Sequence, residues 1–365
     1  MAERVSADSV ARLRLIRSEN IGPVTYLHLL ARFGSAEAAL DAIPSLAAKG
    51  GGRVPRLASA ASAEREIETV ARLGARILFT GDPDYPRLLA AVEVAPPALI
   101  VKGDLSLCDR PSIALVGARN ASAAACRFAR QLAARLGQSG AVIVSGLARG
   151  IDTAAHDGAM ATGTIAVVAG GIDIFYPPEN LARQREIGEH GLLVAEQPPG
   201  TEPRARHFPY RNRIIAGLSQ GTVVVEAAPR SGSLITARYA GDYGREVMAV
   251  PGSPLDPRAQ GCNQLIREGA ILIQSAEDVL EAITPLSAGV REPPSTYYDE
   301  GTDGEVASGA RADVAALLNA TPVPVDELIR QTGLPSGIVH TILLELELAG
   351  RLERHAGGRV SLIAL

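Results

Sequence analysis

A chain of 365 residues is long enough for two or three domains of about 150 residues each, and with 47% hydrophobic and 21% charged residues it is neither disordered nor fibrous. Its formal net charge of -4 means that any nucleic-acid contact must come from a local basic patch, not from the global field. Lys occurs only at positions 49 and 102, the other 34 basic residues being Arg, and neither Lys stands in a Gly-Lys-Ser/Thr frame, which excludes P-loop phosphate chemistry.

Residues 1–75 place apolar and charged side chains at helical spacing, as in Ser9 to Ile16 and Tyr26 to Phe33, and read as a small helical domain. Ile21-Gly22-Pro23 between them fits a helix start or the turn of a helix-hairpin-helix. Arg76 to Phe79 and Ala98 to Lys102 add one or two strands. From Ile113 the pattern becomes short apolar runs separated by helical stretches: Ile113 to Gly117, Ala141 to Gly146, Thr164 to Ala169, Leu192 to Glu196, Thr222 to Ala227, Glu246 to Val250 and Ala270 to Ile273. Most lack polar alternation, as strands buried on both faces do, so the intervening helices are parallel crossovers and residues 76–284 form a doubly wound α/β domain. Residues 285–311, with Pro293-Pro294, Gly, Ser and several acids, read as a solvated linker. Residues 312–365 read as a winged helix: three short helices (Ala312 to Leu318, Val325 to Gln331, Ser336 to Ala349) and a hairpin around Gly357-Gly358.

Ligands of open α/β sheets bind beyond the carboxyl ends of the strands, so the residues after each run matter most. The turn after the first, Gly117-Ala118-Arg119-Asn120-Ala121-Ser122, lacks the GxGxxG of a dinucleotide site and carries Arg119 before a helix start, which keeps an anionic ligand in play. Gly146 and Arg149 follow the second run, with Asp152 placed as a cap or first-turn acid and His156 as a packing or hydrogen-bonding histidine. The densest basic stretch, Arg204-Ala205-Arg206-His207-Phe208-Pro209-Tyr210-Arg211-Asn212-Arg213, combines forks for phosphate with rings for bases, as a single strand requires. Arg230, Ser231 and Gly232 make a further oxyanion-binding turn. Gly217 to Gly221 spells G-x-S-x-G, but after a helix and before a strand, the wrong context for a nucleophile elbow. The three cysteines form no CxxC pair, no metal spacing is present, and neither a secretory leader nor an apolar run of ~18 residues stands out; the expectation is a cytoplasmic protein with reduced thiols and no metal or cofactor.

Taken in order, Val116 to Arg119, Ser145 to Gly158, Tyr176 to Asn180, Phe208 to Ser219, Ser231 to Arg238 and Val250-Pro251-Gly252 resemble the DNA-processing protein A family, also called Smf, most strongly over about 80 to 280. The resemblance implies an extended Rossmann-like domain that binds single-stranded DNA without catalysis, dimerises, and loads the RecA recombinase onto incoming strands in natural transformation. It places Arg119, Arg149, Phe208, Arg211 and Arg213 where the family's pocket grips the strand; family members often carry Lys at neighbouring positions, whereas this chain uses Arg. Arg204, Arg206, Arg230 and Ser231 are expected to extend the contact, and Gly117, Gly146 and Gly232 to bring backbone close to it. Leu265, Ile266, Ile271 and Ile273, near the last strand, are candidates for a two-fold dimer contact or for core. An enzyme alternative, a nucleotide phosphoribohydrolase of the lysine-decarboxylase-like Rossmann group, retains only Gly221-Thr222 and Glu226 of the PGGxGTxxE signature. Duplex reading by the winged helix is a third option, disfavoured by Glu345 and Glu347 on its recognition helix.

Overall fold

The Ser6 hydroxyl accepts the Ser9 backbone N–H at 3.1 Å, filling one of the donors that a helix start leaves free, and so opens α1 (Ala7–Ile16). In this computed structural model, which describes residues 6–284, 308–355 and 357–363, α2 (Pro23–Phe33), α3 (Ala36–Lys49) and α4 (Ala60–Arg72) follow. Pro23 occupies the first turn of α2, where its missing N–H costs nothing.

Strands then alternate with helices: β1 (Arg76–Phe79), α5 (Arg87–Ala90), β2 (Ala98–Gly103), β3 (Ser112–Val116), α6 (Ala123–Gln138), β4 (Val142–Ser145), α7 (Ile151–Ala159), β5 (Thr164–Val168) and α8 (Leu181–His190). The series continues with β6 (Leu192–Ala195), α9 (His207–Gly217), β7 (Gly221–Val224), α10 (Ser233–Asp242), β8 (Glu246–Ala249), α11 (Gln260–Arg267), β9 (Ile271–Leu272) and α12 (Ala276–Ile283). They build a nine-stranded sheet of order β1-β2-β6-β5-β4-β3-β7-β8-β9. β3 to β9 are parallel, while β2 pairs antiparallel with both β1 and β6. The order reverses between β3 and β7, the place where doubly wound sheets open a crevice.

The absence of polar alternation in the strands has its cause in two covered faces. Ile113 and Leu115 of β3 pack with Leu132 and Leu136 of α6 and Ala155 of α7; Ala114 and Val116 pack on the other side with Ile214, Ile215 and Leu218 around α9. The apolar residues near β9 do not share one outward face. Ile273 is fully buried under α6 and α12, and Leu265 and Ile266 lie partly buried against the opposite layer, which leaves Ile271 exposed with Leu272 on the edge strand. Ile273 lies just past the end of β9 and is taken into the core, so the four do not form one two-fold patch, and Ile273 follows the core reading instead.

The chain separates into two compact units, residues 66–291 and residues 1–65 joined with 292–365. In the second unit α13 (Ser308–Leu317), β10 (Val323–Pro324), α14 (Val325–Thr332), α15 (Ser336–Leu348), β11 (Leu352–His355) and β12 (Arg359–Leu362) form a winged helix. Its sheet has three strands, β10-β12-β11, one more than the hairpin expected; Val323-Pro324 is too short to read as a strand. α13 starts inside the expected linker, the rest of which (285–307) lies outside the described residues. α15 is buried on two sides: Val339, Ile342, Leu343 and Leu346 enter the winged-helix core, and Leu344 and Leu348 enter a core with Leu15, Tyr26, Leu29 and Ile43 of α1 to α3.

Candidate nucleic-acid interface

A pocket of about 340 Å³ opens beyond β4 and β5, between the loop after β3 and the start of α9. Arg119, Arg149, Phe208 and Arg211 all line it, together with Gly146 and Tyr176. Two cations lie over the Phe208 ring, the Arg119 guanidinium carbon 4.7 Å and that of Arg211 5.8 Å from its centroid, and the Tyr176 ring lies 5.8 Å away at 56°. Of the two, the exposed Arg119 has its guanidinium at the pocket mouth, where a planar fork beside a ring can meet an anion.

Arg211 is buried, and its Nη1 donates to the carbonyls of Gly146 and, at 2.9 Å, Val167. A side chain at Gly146 would have to displace this guanidinium and the Asp152 carboxylate. Burial pulls Arg211 down to about 10, opposed by the Asp152 carboxylate, so it remains a cation at neutral pH. Asp152, in the first turn of α7, accepts the Ala148 N–H at 3.3 Å; burial pushes its carboxyl up and Arg211 pulls it back. Between them Leu147 adopts the left-handed backbone region, φ 56°, its carbonyl held by Asn180 Nδ2 at 2.8 Å. A branched apolar side chain in that region is strained, and the strain sits on the pocket rim.

Arg213 does not reach the pocket. Two residues along a helix are about 200° apart around its axis, so Arg213 points away from Arg211 and is buried, donating to Glu196 and, at 2.7 Å, to the Val94 carbonyl. The exposed Arg149 lies 3.5 Å from Glu179. Arg204, Arg206 and Arg230 are exposed and make no ion pair among the described residues. The Ser231 hydroxyl meets that of Ser233 at 2.8 Å, and a side chain at Gly232 would enter open space. Tyr176 is the lining aromatic that the reading of separate motifs did not single out; its signal was the Tyr176-Pro177-Pro178 run beyond β5.

The helix start at the sheet's reversal point is already filled. Ser122 caps α6, and Glu226 accepts its N–H at 3.0 Å and its hydroxyl at 2.7 Å. A side chain at Gly117 would collide with Ile151. The protein's own carboxylate thus occupies the seat that a dinucleotide phosphate takes in related sheets, and the acid that the phosphoribohydrolase signature retains is engaged there. His156 is fully buried with Nδ1 2.7 Å from the Thr164 hydroxyl, the Ser145 and Ser219 hydroxyls donate to buried carbonyls, and no cluster of three metal-ligating side chains exists among the described residues. No helix among these residues is long and apolar enough to cross a membrane.

Residues 76–284 match the family model described as DNA recombination-mediator protein A, residues 6–69 a DprA-like N-terminal HHH domain and residues 300–358 a DprA winged helix domain. Protein Smf of Synechocystis is 36% identical over 78% of this chain and 79% of its own, and the DNA processing protein DprA of Streptococcus pneumoniae is 48% identical over 54% and 71%. The X-ray structure of DprA from S. pneumoniae aligns with a TM-score of 0.64 at 34% identity, covering 76% of this chain and 98% of that one. A DNA processing protein A from Helicobacter pylori, described for its single-stranded DNA binding mode, aligns at 0.52 and 29% identity, covering 57% and 94%. From its three matched domains and these relatives, the chain belongs to the DprA/Smf family of DNA-processing proteins.

Proposed function

We propose that this protein binds single-stranded DNA in the pocket between Arg119 and Phe208 without turning it over, and that it protects incoming strands and loads RecA onto them in transformation and recombination. The observation that carries the reading is the Phe208 ring with Arg119 and Arg211 near it and Tyr176 beside it. Exposed guanidinium edges take phosphates and aromatic faces take bases, with no need for a base-edge reader. Arg149 joins the pocket set, and Arg204, Arg206, Arg230 and Ser231 serve as outer contacts. The H. pylori relative supports the choice of ligand. The protein acts as a cytoplasmic homodimer in this reading, its contact including the exposed Ile271–Leu272 edge.

Titration of labelled oligothymidylate and of a matched duplex across salt tests the proposal. Single-strand preference with a log–log slope near -0.7 per phosphate contacted is expected; equal affinity for duplex, or a flat salt response, overturns it. RecA filament growth on strands coated with single-strand-binding protein, with and without this protein, tests the loading step, and unchanged growth removes it. Incubation with nucleotides and labelled strands, with and without divalent metal, should release no phosphate, base or cut strand; release that the pocket variants abolish overturns the non-catalytic reading. Sedimentation at tens of micromolar showing a monomer removes the dimer.

A further inference from the structure

Phe208 and Tyr210 are two residues apart on α9 and therefore face nearly opposite ways. Phe208 lines the pocket, with the Arg119 and Arg211 guanidinium carbons 4.7 and 5.8 Å from its ring centroid, whereas Tyr210 is 57% exposed. Arg206 precedes Tyr210 by one helical turn and so shares its face. Arg204 lies in the turn just ahead of α9, its carbonyl accepting the His207 N–H at 2.8 Å. Arg204, Arg206 and Arg230 are exposed and form no ion pair among the described residues, unlike Arg149 and Arg213. On a chain of net charge -4, an exposed ring with an uncompensated arginine on its face and another in the turn ahead is a local complement to a polyanion that carries flat bases.

We infer that Tyr210, with Arg206 on its face and Arg204 in the turn ahead of it, is a second base-stacking platform outside the pocket, which takes nucleotides of the same single strand beyond those that the pocket holds. The inference rests on the single-strand reading above and adds a length requirement to it. A short oligonucleotide fills the pocket alone; a longer one also reaches Tyr210 and gains affinity there.

The sequence contains no Trp, so Tyr210→Trp introduces a lone indole whose fluorescence reports stacking at this position. Oligothymidylates of increasing length are titrated into that variant, into Tyr210→Ala and into the unaltered protein, with binding followed independently through a label on the DNA. Expected are binding of the shortest ligands without quenching, quenching once the strand passes a threshold length, and a loss on the order of tenfold in Tyr210→Ala confined to strands above that length. Long strands that bind Tyr210→Ala at full affinity, or that bind Tyr210→Trp without quenching, overturn the platform and leave the pocket reading intact. No binding of any length to the unaltered protein overturns both. Tighter binding of an acidic peptide than of DNA, lost in Tyr210→Ala, assigns the patch to a protein partner and likewise overturns the inference.

Discussion

The Arg119 guanidinium lies over the Phe208 ring, 4.7 Å from its centroid, and so couples the loop after β3 to the first turn of α9 across the pocket. Two segments 89 positions apart in sequence thereby present one charged, flat surface. Arg119→Ala is expected to weaken single-strand binding about tenfold and to reduce the salt slope by about 0.7, one phosphate contact. Phe208→Ala should weaken binding by about 1 to 3 kcal/mol through lost stacking. Because the ring orients the guanidinium, the double variant should fall short of the sum, and a double-mutant cycle measures the difference. Full additivity counts against the coupling.

Arg213→Ala acts on stability. Arg213 and Glu196 are 6% and 19% exposed at their side chains, and removing the guanidinium takes away a largely desolvated ion pair together with the bond to the Val94 carbonyl, at a cost of about 3 kcal/mol. Thermal unfolding should report that loss. Single-strand affinity, corrected for the folded fraction, should keep the salt slope of the unaltered protein. A reduced slope places Arg213 at the phosphates after all.

Arg211 and Arg213 show what the sequence made legible and what it withheld. The basic run and its place after β6 were readable, because local composition and the rule of strand carboxyl ends suffice for that. Which arginine faces the ligand depends on partners far along the chain: Gly146 and Val167 for one, Glu196 and Val94 for the other. The helical repeat already separated the two, but only the packing decides which side is the pocket. Most of the strands were legible because parallel segments covered on both faces leave continuous apolar runs. Ile273 was ambiguous for the same reason, since a run of apolar residues at a sheet edge does not say which of them points in. Glu226 resembled a remnant of an enzyme signature until the Ser122 cap showed its partner.

His156 gives the α/β unit a pH dependence. Burial holds its folded-state pKa down to about 3, with Arg183 adding to the effect, against 6.5 in the unfolded chain. Below 6.5 the unfolded state binds a proton that the folded state refuses, so the stability present above 6.5 is lost as pH falls, until the folded state also takes the proton near 3. The expected slope approaches 1.4 kcal/mol per pH unit inside that window. Denaturant unfolding between pH 7 and pH 4 should show the decline, less steep in His156→Gln. An equally steep decline in that variant assigns the dependence to other groups.

The unit formed by the two chain ends yields the last prediction. α15 has no free face for a major groove: Leu344 and Leu348 are buried with α1 to α3, Asn20 Nδ2 donates to the Leu348 carbonyl at 3.3 Å, and Arg351 Nη1 donates to the Gly50 carbonyl at 3.1 Å. Glu345, 2% exposed, is held by both arms of Arg311 at 2.8 and 2.9 Å, so the acid that argues against DNA is also an internal strut. Close approach at the end of α3 requires glycine, because a side chain at Gly50 would collide with the Glu345 carbonyl and the Ala349 methyl. Gly50→Val should therefore part α3 from α15 and expose Leu344 and Leu348. With two leucines returned to water, at about 1.5 to 3 kcal/mol for each that becomes fully exposed, the unit should lose a large share of its stability. Limited proteolysis should cut the variant in residues 1–65 and 308–363 under conditions that leave the unaltered protein whole. Duplex DNA supplies the second readout: with α15 covered, the unaltered protein should bind duplex no better than a version shortened to residues 1–291. Duplex affinity that falls on this truncation, or a Gly50→Val variant as protease-resistant as its parent, contradicts the covered-helix account.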